Sequence, residues 1–132
     1  MRKTLLIILT TMIFFMAAGC GEKEKTVNTP AGTGDDMPVV TLVELGSSDC
    51  PPCRLMEPVL DEVRNRYGSK VRVVYHDVGV PGGMPYARSY GVRVMPTQVF
   101  LNSEGREFYR HEGFLSLDEI EEILNENGVN GE

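Results

Sequence analysis

Apolar positions recur along this 132-residue chain with changing period, and each change of period marks an element. Val39-Val40-Thr41-Leu42-Val43-Glu44-Leu45 is a short, nearly unbroken apolar run and predicts a strand. Over residues 53–67 the period becomes helical. Leu55, Met56, Val59, Leu60, Val63 and Tyr67 share one face, Arg54, Glu57, Asp61, Glu62 and Arg64 lie elsewhere, and Gly68 stops the pattern. Pro58 falls inside this helix and is expected to kink it without ending it. Residues 71–78 are rich in Val and read as a buried parallel strand. Gly79-Val80-Pro81-Gly82-Gly83 then breaks the chain as a surface turn. No Lys followed by Ser or Thr comes after the glycines, so it lacks the makings of a phosphate loop. Residues 86–90 allow one short helix before Gly91, and residues 97–101 and 107–111 predict a hairpin joined through Asn102-Ser103-Glu104-Gly105. Ser116-Leu117-Asp118-Glu119 is a capping box that opens a last helix, whose stripe is Leu117, Ile120, Ile123 and Leu124. The order β-α-β-α-β-β-α predicts an α/β domain, a central mixed sheet flanked by helices on both faces.

Upstream of the first strand the pattern differs. Arg2 and Lys3 precede an apolar run over residues 5–16 that ends in Ala17-Ala18-Gly19-Cys20. The run is shorter than the ~20 residues a membrane span needs and reads as a signal peptide, residues 1–19. A cysteine after small residues at that point resembles the bacterial lipobox, which implies acylation of Cys20 and a membrane anchor. With ordinary cleavage instead, the product would be secreted or periplasmic. Residues 20–37, with Glu22-Lys23-Glu24-Lys25 followed by Thr, Asn, Pro, Ala and Gly, carry no apolar period and are expected to be a flexible tether. Residues 38–132 suffice for one small core and no second domain. The formal net charge is −6, and signal removal takes away Arg2 and Lys3, so nucleic acid is not an expected partner.

Composition matters most at cysteine. The chain has 3, and assigning Cys20 to lipid leaves one pair, Cys50-Pro51-Pro52-Cys53, between the first strand and the first helix. Such a loop is too small to staple a fold, so redox or metal use is favoured over a structural bridge. The residue before a proline avoids helical geometry and Pro suits the first helical position, which puts Cys50 at the helix N-terminus. Unpaired backbone donors and the helix dipole favour thiolate there, making Cys50 the candidate nucleophile and Cys53 the resolving thiol. Asp49 opposes that effect. His76 and His111 are poorly spaced to complete a metal site with the two cysteines, and no cofactor or metal is expected.

The order of elements, together with Pro58 five residues after Cys53, Tyr90-Gly91-Val92 ahead of Met95-Pro96-Thr97, and Gly113 before the last helix, resembles the thioredoxin family over residues 38–129. The resemblance implies a thioredoxin-like fold in which Pro96 is cis and lies beside Cys50, and in which Met95 and Pro96 line the groove for a partner's extended chain. It also aligns Glu44 with the family's buried acid, implying a catalytic role in taking a proton from Cys53. Where the family often has Lys near this acid, the chain has Tyr75, and the tryptophan of the family's rim is replaced by Gly46-Ser47-Ser48-Asp49. The implied function is an extracytoplasmic thiol–disulfide oxidoreductase, expected to act as a monomer and as a reductant. Its expected partners are disulfide-bearing substrate proteins and a dithiol protein that donates electrons. A disulfide oxidase or isomerase, or a module that holds metal with its thiols, are the alternatives.

Overall fold

The computed structural model describes residues 37–131. Seven regular elements follow one another: β1 (Val40–Gly46), α1 (Pro51–Tyr67), β2 (Val71–Asp77), α2 (Met84–Ser89), β3 (Thr97–Asn102), β4 (Glu107–Glu112) and α3 (Leu117–Glu126). A 3₁₀ turn, Gly68–Lys70, leads into β2. The sheet order is β2-β1-β3-β4. Strand β1 runs parallel to β2 and antiparallel to β3, and β3 pairs antiparallel with β4, so the sheet is mixed as expected.

Alternation along β1 divides the core in two. Val40 and Leu42 join Phe100 of β3, Met56, Leu60 and Val63 of α1, and Ile120 and Leu124 of α3 on one face. Val43 and Leu45 point the other way and join Val99 and Val78, with Ala87 of α2 and Tyr90 packed against them. Helices thus cover both faces. Helix α1 continues unbroken through Pro58 because its buried positions, Cys53, Met56, Leu60, Val63 and Tyr67, recur at helical spacing on both sides of the proline. Helix α3 is fixed at its start by the capping box. The Glu119 N–H donates to Ser116 Oγ at 3.4 Å, and the Ser116 N–H donates to Glu119 Oε2 at 2.9 Å.

Two expectations are corrected. Strand β2 is parallel, but it is not buried on both faces: of its residues only Val71 is buried, and Tyr75 is 40% exposed. It forms one edge of the sheet, so cover from α1 and α2 reaches it only in part. Leu55, read as part of the buried face of α1, is 61% exposed. The stripe is centred on positions 53, 56, 60, 63 and 67, which turns Leu55 out beside the exposed Pro51 and Pro52.

Candidate active site

Cys50 occupies the cap of α1 in extended geometry (φ −94°, ψ 114°), and prolines follow at both of the first helical positions. Pro51 and Pro52 carry no N–H, so Cys53 is the first helical residue able to present one. The Arg54 N–H donates to the Cys50 carbonyl at 3.2 Å, closing the first helical turn. Cys50 and Cys53 are joined as a disulfide with their Cα atoms 5.2 Å apart. Exposure separates the two cysteines: Cys50 is partly exposed, whereas Cys53 is 3% exposed on the buried face of α1.

The Met95–Pro96 peptide bond is cis. Pro96 is buried and Met95 exposed, and the Met95 carbonyl oxygen lies 3.9 Å from Cys50 Sγ. The disulfide sulfur has no proton, so this is a contact that becomes a hydrogen bond only when Cys50 is a thiol. Two bonds hold the turn: the Gly113 N–H donates to the Pro96 carbonyl at 2.7 Å and Thr97 Oγ1 donates to the Val94 carbonyl at 2.6 Å. Cys50, Cys53, Met95 and Pro96 therefore share one end of the sheet, where Val94, Phe114 and Leu55 are also exposed.

Glu44 lies behind the pair with no exposed surface, on the α1 face of an interior strand. Burial pushes its carboxyl from 4.5 up to about 7, and a hydrogen bond from Gln98 draws it partly back. Gln98 Nε2 donates to Glu44 Oε2 at 2.9 Å, while Glu44 Oε1 and Gln98 Oε1 have no partner within the protein. The strand register extends this polar row across the whole sheet: Tyr75, Glu44, Gln98 and His111 are successive partners on β2, β1, β3 and β4. Tyr75 does stand next to Glu44, and its phenol is raised by burial first, then by the charges of Asp77, Glu44 and Glu57.

The histidines are not brought together. His76 stacks on Tyr86 with ring centroids 3.7 Å apart, and its register partner is Leu45, on the sheet face opposite to that of His111. No group of three or more His, Cys, Asp or Glu side chains among the described residues is arranged to hold a metal ion. Cys20, and with it the signal and most of the tether, lies outside the described residues. Gln98 was not singled out from sequence, although the signal was there. A polar residue interrupts Thr97-Gln98-Val99-Phe100-Leu101 just as Glu44 interrupts β1.

A family model described as a thioredoxin-like domain matches residues 23–128. A thioredoxin of Bacillus subtilis is 30% identical over 88 residues, covering 67% of this chain and 82% of the relative. A thioredoxin 1 of Nostoc is 37% identical over 62 residues, but this match spans only 47% of this chain and 56% of the relative's length. Among solved structures, a thioredoxin mutant from Halobacterium salinarum superposes with a TM-score of 0.61 at 24% identity, covering 70% of this chain and 78% of that one. Chloroplastic thioredoxin z gives a TM-score of 0.62 at 24% identity, over 71% and 82% of the two chains. The family model covers well over half of the chain and its C-x-x-C pair sits at the head of α1, so this chain belongs to the thioredoxin-like family of thiol–disulfide oxidoreductases.

Proposed function

We propose that this oxidoreductase works as a monomeric reductant of protein disulfides on the extracytoplasmic side of a bacterial membrane, held there by an acylated Cys20 and the tether of residues 20–37. The observation that carries the reductive reading is the buried carboxyl of Glu44, with a pKa raised to about 7, behind the buried sulfur of Cys53. In the reduced protein the Cys50 thiolate attacks one sulfur of a substrate disulfide. A mixed disulfide forms and the other substrate sulfur leaves as thiolate. Cys53 then gives its proton to Glu44 and attacks Cys50 Sγ, which closes the Cys50–Cys53 disulfide and expels the second substrate thiolate. Two electrons pass to the substrate, and its thiolates take up protons from Glu44 and water. A second dithiol protein must return two electrons and two protons to the pair. On the side of this protein, every step uses groups of one chain. Met95, with its exposed side chain and its carbonyl beside Cys50, and Pro96 would seat the extended substrate segment.

The test is insulin reduction driven by a small dithiol, together with trapping in cells by Cys53→Ser. Turnover by wild type and a mixed disulfide captured on Cys50 are expected. Capture by Cys50→Ser in place of Cys53→Ser would reverse the roles of the thiols. A measured reduction potential near that of strong oxidants would favour the oxidase reading, since 30 mV corresponds to about 1.4 kcal/mol for this two-electron couple.

A further inference from the structure

We infer that Gln98 is a positioning residue for proton transfer, holding Oε2 of Glu44 so that Oε1 is the oxygen that takes the proton of Cys53. The inference rests on the reductive reading above. Its first support is the hydrogen bond itself. Gln98 Nε2 donates to Glu44 Oε2 at 2.9 Å, and both side chains are fully buried. With Glu44 ionised, the reverse orientation of the amide would set a carbonyl oxygen against a carboxylate, two acceptors without a proton between them, so the nitrogen must face the acid. An oxygen that already accepts from an N–H is the poorer site for a second proton. Oε1 has no such partner.

The second support is proximity. A Cβ placed on Gly46 would lie 3.5 Å from Glu44 Oε1 and 3.3 Å from Cys53 Sγ, and 3.2 Å from Cys53 Cβ. The free oxygen and the buried sulfur therefore border the same point, two residues along β1 on the same face as Glu44. Gly46 has no positive φ, so glycine is not required there by backbone conformation; a Cβ would instead crowd Cys53, and its absence is what lets the acid and the thiol approach the same point. The third support is cost. Gln98 Oε1 is buried without a partner, a penalty that an apolar residue at this position would not incur.

A neutral donor suits the task. It lowers the carboxyl only in part against the rise due to burial, whereas a cation at the same distance would hold Glu44 ionised and leave it a poor base. The other titratable groups arranged about Glu44 are Tyr75 on β2, His111 on β4 beyond Gln98, and Cys53 and Glu57 on α1, the last acting on Tyr75. In the step itself the proton leaves Cys53 Sγ for Glu44 Oε1, the sulfur attacks Cys50 Sγ, and the proton later passes to water or to the expelled substrate thiolate.

The test compares Gln98→Met, which keeps length but removes the amide, with wild type in the full chain. It also places Gln98→Met in a Glu44→Gln background. Glu44 titration is followed by carbon-13 NMR of its carboxyl, assigned by its loss in Glu44→Gln. Losing one hydrogen bond should raise the Glu44 midpoint by about one pH unit, which lowers the ionised fraction at pH 7 about fivefold. Insulin reduction should fall by a similar factor at pH 7, recover by pH 9, and show no further change when Gln98→Met is added to Glu44→Gln. An unmoved midpoint, or an equal loss of turnover in the Glu44→Gln background, overturns the inference. If Gln98→Met does not fold, Gln98→Asn, whose amide is withdrawn by one methylene, is judged by the same midpoint criterion. Failure of wild type itself to reduce insulin would sink the reductive reading, while the carboxyl titration would still decide the role of Gln98.

Discussion

Glu44 concentrates the energetics of the site in one side chain. Its carboxyl is at about 7 in the folded, disulfide-bonded protein against 4.5 when exposed, so between those values the folded state keeps a proton that the unfolded chain has released. Stability is thus fully present below pH 4.5 and declines as pH rises through 7. The decline amounts to on the order of 3 kcal/mol for a shift of this size. Glu44→Gln should remove that decline, leaving the variant as stable as wild type near pH 4.5 and more stable at pH 8. Urea unfolding at the two pH values, read as the difference between variants so that other groups cancel, checks this. A parallel pH dependence in both proteins would mean that Glu44 titrates normally. On the proposed mechanism the same substitution should slow insulin reduction near neutral pH, where Cys53 would rely on Glu44 as base, and matter less as rising pH ionises the thiol unaided. Activity and stability should therefore move in opposite directions if Glu44 serves the chemistry at the expense of the fold.

Among the elements, some follow from local sequence and others depend on their neighbours. Helix α3 carries its own start signal. Ser116→Ala should cost about 1 kcal/mol, measured by urea unfolding, because it strips an N-cap acceptor from a helix that seats Ile120 and Leu124 in the core. A loss under a few tenths would indicate that packing alone holds the helix. Helix α2 depends instead on contact, since a Cβ on Gly83 would fall 1.6 Å from the Asp77 carbonyl oxygen, so only glycine lets the end of β2 and the start of α2 approach this closely. Strand β2 shows the limit of local pattern. Its Val-rich run is legible as a strand, but whether a strand lies inside a sheet or at its edge depends on pairings made by residues far away in sequence. Leu55 illustrates a finer limit: one step along α1 is about 100° of rotation, enough to move a residue from the stripe to the rim.

At the scale of the molecule, one sheet with helices on both faces presents the disulfide at the head of α1, at the end of the sheet where β1 finishes. Charge patterning there is local. Arg54 Nη1 donates to the Ser48 carbonyl at 3.2 Å, and Arg93 bridges to Glu112 at 3.0 Å, an exposed pair expected to contribute little to stability. The tether proposal has a consequence for the whole protein. Cys20→Ser should shift the domain from the membrane fraction to the soluble fraction without altering insulin reduction by the pair. Retention in membranes at an unchanged mature mass would rule out acylation as the anchor.

The order of elements, the cap at Ser116, the stop at Gly68 and the position of Cys50 at the start of α1 were all legible in the sequence. Each rests on interactions within a few residues: periodicity, backbone preference and capping bonds. The redox pair was legible for the same reason, since three positions along a helix start bring two sulfurs together without help from the rest of the fold. The tertiary structure alone decided that Glu44 lies on an interior strand, that Gln98 meets it across 54 positions of sequence, and that acid and thiol both approach Gly46. Those are matters of strand register and helix docking. A carboxyl acquires a raised pKa only when distant segments take its water away, which no local run of residues can do.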